Sequence, residues 1–255
     1  PRSSWISSIA RHCSVASRIE STDSEPDPQS RVGGHLPSSA DRYLTAPTRY
    51  GNAHTRSFVY SGMDITRIRL SNTVFEGRNN AYVVDGDTPT LIDTGVSTPD
   101  TRADLVGGLA EAGVSVSDLD RILLTHWHAD HSGLAGELAA ESGATVFAHE
   151  ADVPLVAGDD DAFERLWARR DRRFEEWGIP AAKREALKTF RTEVAGATGT
   201  SATVEPLTDV DRVAAGGGEA SEAHLPGHAA GHVAHATAPA HGPPPYAAAV
   251  LEAAA

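Results

Sequence analysis

Cysteine occurs once in this 255-residue sequence, at Cys13, so neither a disulfide framework nor a cysteine-built zinc finger is available to it. No apolar run approaches the ~20 residues that cross a bilayer as a helix, which excludes an integral helical membrane protein. In the opening stretch Ile6, Ile9 and Val15 are broken up by Ser, Arg and His, so no apolar signal-peptide core is expected. Positive charge is scarce as well: 22 basic residues face 35 acidic ones, a formal charge of −13. A surface this negative disfavours nucleic acid or an anionic membrane as the main partner and leaves a small-molecule substrate. Lysine is nearly missing, present only as Lys183 and Lys188. Excess acid with little lysine fits a salt-adapted protein of a high-salt cytoplasm, where screening relieves self-repulsion. A GC-rich coding sequence favours Arg over Lys too. What is plentiful is core-forming material, since 40% of the residues are hydrophobic. The pattern is silent on oligomeric state.

Methionine also occurs once, at Met63, and the character of the chain changes there. Residues 1–62 carry seven Arg, five acids and 13 Ser, a net +2 that leaves −15 for residues 63–255. Neither strand alternation nor helical periodicity runs through them. Such a composition buries too little apolar surface to offset chain entropy, so a disordered N-terminal extension is expected. Met63 is then the expected start of the folded domain and of the native protein.

Patterned sequence begins right after Met63. Thr66, Ile68 and Leu70 alternate with polar residues as in a half-buried strand. Asn80–Val84 and Thr90–Asp93 predict two more strands, with Asp85-Gly86 as a turn between them. Residues 100–112 read as a helix with Leu105, Val106 and Leu109 as its apolar stripe and Gly113 as its stop. Arg121–Thr125 is a short buried-type strand, a helix follows at 133–141, and Ala144–Ala148 is another strand. Strands alternating with helices predict an α/β architecture. Within 159–195, Phe163, Leu166, Trp167, Phe174 and Trp177 fall at helical spacing, and Ala186, Leu187, Phe190 and Val194 mark a second helix. This helical insert reads as a hairpin packed on the sheet or as a lid over a pocket. Strands are expected again near 203–205 and 211–213, and Gly216-Gly-Gly218 reads as a turn.

The segment His126-Trp-His128-Ala-Asp130-His131 follows the 121–125 strand directly. In extended chain, residues two apart point the same way, so His126 and His128 converge on one ion, while Asp130 and His131 turn toward a neighbouring position. Imidazole nitrogen and carboxylate oxygen suit zinc at about 2.0–2.2 Å. Iron and manganese accept the same donors. The chain has 12 histidines, so a chance pair is unremarkable; four donors in six residues at a strand end are not.

These residues resemble the His-x-His-x-Asp-His signature of the metallo-β-lactamase-fold hydrolase superfamily. The resemblance runs from about Met63 to His232 and includes Asn79–Val84, Leu91-Ile-Asp93-Thr-Gly95 and Leu225-Pro-Gly-His228. It looks closest to the glyoxalase II-like branch. It implies an αβ/βα sandwich in which His126, His128 and His228 hold a first metal ion, one zinc with a second possible. Asp130 and His131 would serve the second, and Asp93 would support the ligands from beneath. Asp93 also reads as a simple turn residue before Thr94-Gly95. His224 and His232 flank His228 and are the alternatives for its role; His149 matches a position that is usually not a ligand. The activity implied is zinc-dependent hydrolysis of an ester, thioester, lactone or related bond by a metal-bound hydroxide. Asp130 would be the catalytic residue that orients the nucleophile and moves its proton. No Gly-x-Ser-x-Gly elbow supports a serine mechanism.

The pattern departs from the family at its C-terminus. A bridging Asp and a final His cannot be assigned: the last Asp in the chain is Asp211, and nothing in the spacing of His235, His241 or Glu252 supports a substitute. Residues 233–255 contain ten Ala and four Pro with no strand alternation, and the prolines at 243–245 are incompatible with a central strand. The expectation is a fold incomplete at its C-terminus, a domain ending at His232 and an Ala/Pro-rich tail. A truncated, catalytically impaired member that keeps only a metal-binding loop is therefore the second reading. A nuclease is disfavoured by the −15 core. An iron oxygenase would need a carboxylate after His228, where Glu252 stands alone.

Overall fold

The computed structural model describes residues 49–50, 55–60, 63–75, 77–239 and 249–251. Strands β1 (Arg49–Tyr50) and β2 (Thr55–Tyr60) precede Met63, and β2 pairs antiparallel along all six of its residues with β3 (Met63–Ser71). The unstructured extension expected over 1–62 therefore does not hold for 49–50 and 55–60. Their partners lie in the next strand, and pairing with another segment leaves no local periodic signal. The other residues of 1–62 lie outside those described.

The sheet continues through β4 (Arg78–Asp85), β5 (Thr90–Ile92), β6 (Arg121–Leu123) after helix α1 (Pro99–Ala112), and β7 (Thr145–His149) after α2 (Ala129–Ser132) and α3 (Ala135–Ser142). Three helices, α4 (Val153–Val156), α5 (Asp160–Glu176) and α6 (Ala181–Val194), lead to β8 (Val204–Leu207). The eight strands lie in sequence order, antiparallel up to β5 and parallel from β5 to β8. A second, antiparallel sheet has the order β12 (Ala249–Leu251), β11 (Val233–Pro239), β10 (Gly218–His224), β9 (Arg212–Ala215). Among the described residues no helix follows β8.

Both faces of the central strands are buried, which is why they read as apolar runs. Ile68, Leu70, Val83, Leu91 and Ile122 face the helices, packing with Leu105, Leu109 and Leu138. Met63, Ile65, Val84, Ile92 and Leu123 face the other way and pack on Ala215 and Ala220 of the second sheet. Thr98 caps α1 by accepting the Thr101 amide, Pro99 occupies its first turn, and Gly113 ends it with φ +83°. Gly216 and Gly217 close the tight β9–β10 turn as expected. At Gly216 a Cβ would lie 2.6 Å from the Asp85 carbonyl oxygen, so no other residue fits.

The second correction concerns the tail. The boundary expected at His232 falls one residue before β11, which pairs with β10 over seven residues and buries Val233, Ala234, His235 and Thr237. In this inner strand the polar residues His235 and Thr237 are buried along with Val233 and Ala234, so the segment lacks the apolar-in, polar-out alternation that marks a half-buried strand. The prolines at 243–245 lie outside the described residues.

Candidate metal centre

The centre forms where the parallel strands end. Past β6 the chain stays buried through Leu124 and Thr125, leaves the sheet, and enters α2 at Ala129. His126 and His128 occupy that exit. His228 arrives from the loop between β10 and β11, and the start of β11 is tied back to the exit by the Val233 amide, which donates to the Thr125 carbonyl at 2.9 Å. Donor atoms of His126, His128 and His228 lie within 4.8 Å of one another. The residues that the sequence separates by a hundred positions are in contact: Nδ1 of His128 is 2.9 Å from Nε2 of His228.

Hydrogen bonding sets how His126 presents itself. The Thr125 hydroxyl donates to Asp93 Oδ2 at 2.8 Å, so it can only accept from Nδ1 of His126, 3.1 Å away. Nε2 of His126 is then left with its lone pair, and this buried atom has no hydrogen-bond partner. A buried, unpartnered donor atom aimed into a set of imidazoles is what a divalent-metal site requires of its protein. Burial, reinforced by His131 and His128, pushes the His126 pKa down. Burial and His228 push His128 down to about 3, and His228 is lowered by burial and His232. At neutral pH all three are neutral imidazoles, the form that binds metal.

Asp93 lies beneath them. Its Oδ1 accepts the Thr125 amide at 2.8 Å and its Oδ2 accepts from Nδ1 of His131 at 2.9 Å. Its φ of +57° is a left-handed conformation that a non-glycine residue adopts only when its surroundings hold it there, and these bonds do so. Asp93 thus sits in the turn before Thr94-Gly95 while its carboxylate holds Thr125 and His131. Burial lowers the His131 pKa, but Asp93 and Asp130 together outweigh it and the net shift is upward. Asp130 sits in the first turn of α2, its Oδ2 3.1 Å from Asn79 Nδ2 and 3.6 Å from His131 Nε2. Asp130 and His131 are therefore adjacent to each other and to the triad, the His131 ring centroid 4.2 Å from that of His126.

The two alternatives to His228 named from the sequence part company, and other surroundings had no signal there. His232 lies at the centre, its ring 5.3 Å from His126 and 5.8 Å from His228. His224 instead stacks on His149 at 3.9 Å, away from the triad. Asn79 and Thr125 act through their side chains, which strand patterns do not reveal.

An α/β sandwich with a cluster of neutral imidazoles at its strand ends offers a donor set that suits a divalent metal ion. The chain belongs to the metallo-beta-lactamase superfamily, whose family model matches residues 74–236. It is 31% identical over 134 residues to the probable metallo-hydrolase YqjP of Bacillus subtilis, covering 52% of this chain and 41% of that protein. Over 78 residues it is 37% identical to the thioesterase pkgB of Emericella nidulans, covering 30% of this chain and 22% of that protein. Among solved structures, the metallo-beta-lactamase family protein TTHA1429 of Thermus thermophilus matches with a TM-score of 0.54 and 28% identity, over 68% of this chain and 55% of that one. The chain spans less than half the length of these curated relatives. The fold class expected from the sequence holds: a mixed α/β protein of this superfamily. Among the described residues no helix is long and apolar enough to cross a membrane.

Proposed function

We propose that the chain is a zinc-dependent hydrolase acting on an ester or thioester of a small molecule. The observation that carries this is the unpartnered Nε2 of His126 within the His126–His128–His228 triad. When bound, zinc supplies Lewis acidity, lowering the pKa of water to about 7 and polarising the scissile carbonyl. The chain's own residues do the rest. Three neutral imidazoles hold the ion, and Asp93, through Thr125, keeps His126 in the tautomer that offers Nε2. Asp130, oriented by Asn79, holds or accepts the proton that the nucleophile gives up, with His131 beside it. His131 and Asp130 also provide a place for a second ion.

The substrate side is aromatic. The Trp127 ring contacts His128 at 4.5 Å, and Phe163 and Trp167 of α5 lie 5.7 Å and 6.2 Å from Trp127. Guanidinium groups of Arg170 and Arg191 lie over Trp167 at 5.2 Å and 4.6 Å. This face favours an apolar acyl group, which supports the lid reading of the 159–195 insert. Thioesters are favoured over lactones by the thioesterase relative and by the glyoxalase II-like look of the motifs. A cytoplasmic location is part of the same reading, supported by the acidic balance of the chain.

The test is metal content by elemental analysis together with hydrolysis of benzoyl and acetyl thioesters. One zinc or more per chain, with hydrolysis lost in His126→Ala, is the expected result. A folded chain that takes up no zinc and cleaves neither thioester leaves the impaired-member reading standing.

A further inference from the structure

A single buried carboxylate joins the two loops that carry the histidine triad. Asp152 has no exposed surface and stands at the N-cap of α4, yet its side chain makes no capping bond to that helix. It reaches across instead. Its Oδ2 accepts the Trp127 amide at 3.1 Å, between His126 and His128. Its Oδ1 accepts the Gly231 amide at 2.8 Å, between His228 and His232. The approach on the second side is close: a Cβ at position 231 would lie 2.7 Å from Asp152 Cγ and 2.8 Å from Oδ1. Glycine is what lets the backbone come this near.

An Asp at a helix start ordinarily caps its own helix. Here that bond is given up for two charge-assisted bonds to segments 79 and 25 residues away in sequence, each stronger than a neutral one. The two amides lie within one residue of His126 and His128 and within three of His228. The spacing of Trp127 and Gly231 across one carboxylate therefore sets the spacing between the loops, and with it the 2.9 Å approach of His128 to His228.

We propose that Asp152 is a positioning residue of the metal centre, clamping the 126–128 loop to the 228–232 loop so that three imidazoles converge on one ion. The proposal rests on the metal-site reading above and adds a residue that is not itself a ligand.

Asp152→Asn keeps the shape and one acceptor but turns an NH2 donor toward one of the two amides. Gly231→Ala keeps the carboxylate and displaces the loop. Cobalt(II) affinity, measured by competition with a chelating dye, is expected to fall about 10–100-fold in each. The visible absorption bands of the cobalt-loaded protein are expected to shift, which a defect confined to stability would not cause. In metal-free protein, hydrogen exchange at the Trp127 and Gly231 amides is expected to quicken in Asp152→Asn. A folded Asp152→Asn protein with unchanged cobalt affinity and spectrum overturns the proposal; if that variant does not fold, Gly231→Ala carries the same test. Failure of the unaltered chain to bind cobalt sinks the metal-site reading instead. The exchange of the two amides then decides whether the clamp exists, and unchanged exchange overturns it.

Discussion

Asp93 and His126 are joined by one hydroxyl, that of Thr125, which donates to the carboxylate and accepts from the imidazole. The relay removes the proton from the side of His126 that faces the triad. Thr125→Val deletes it while preserving size and leaves Asp93 its bonds from the Thr125 amide and His131. Metal affinity is expected to fall roughly 10-fold or more, and stability by about 1–3 kcal/mol from the lost buried bond. Chelator competition and denaturant unfolding measure the two separately. Unchanged affinity would mean that the tautomer of His126 is set elsewhere.

His228 and His232 are the two candidates for a third ligand beside His126 and His128. The triad geometry favours His228, so His228→Ala should lose the tightly held ion while His232→Ala retains it. Metal stoichiometry after extensive dialysis distinguishes them. The opposite pattern would transfer the ligand role to His232.

Glu222 is buried in the second sheet, directly opposite His235, with neither carboxylate oxygen partnered. Burial first, then Asp211 and Asp209, push its pKa from the ordinary 4.5 up to about 8. The folded state therefore holds the proton more tightly than the unfolded one. Its favourable contribution is complete below pH 4.5 and is lost as pH rises through about 8, at up to about 1.4 kcal/mol per pH unit. Glu222→Gln should match the unaltered chain near pH 4 and exceed it in stability at pH 8. Parallel curves for the two proteins, from denaturant unfolding across that range, would refute this.

Trp167 stands between Trp127 and the two guanidinium groups on the aromatic face. Trp167→Ala should raise KM for a benzoyl thioester about 10-fold, which corresponds to about 1.4 kcal/mol, and leave kcat for an acetyl thioester nearly unchanged. A loss of kcat for both would place Trp167 in the support of the metal centre.

The legibility of this chain varied with the range of its contacts. His126, His128, Asp130 and His131 stood out because they occupy six consecutive positions at the end of an apolar run. Helices α1 and α3 and the central strands were visible because each buries an apolar face or two, and α5 and α6 because their large side chains recur at helical spacing. The β2 strand and β11 were not, since one finds its partner only in the next strand and the other is an Ala-rich inner strand. Asp152 looked like one acid among 35, because nothing near it in sequence shares its work.

The amino-acid sequence by itself determined the types of most elements from β3 to β9, the buried strand at 121–123 and the donor chemistry of the loop that follows it. Those depend on neighbours a few residues apart, and local periodicity and spacing record them. Tertiary structure alone decided which histidine completes the triad, which nitrogen of His126 is free, and that one carboxylate spans both loops. Such relationships join positions tens to a hundred residues apart, and hydrogen-bond geometry at about 3 Å is created only when the sheets close around them.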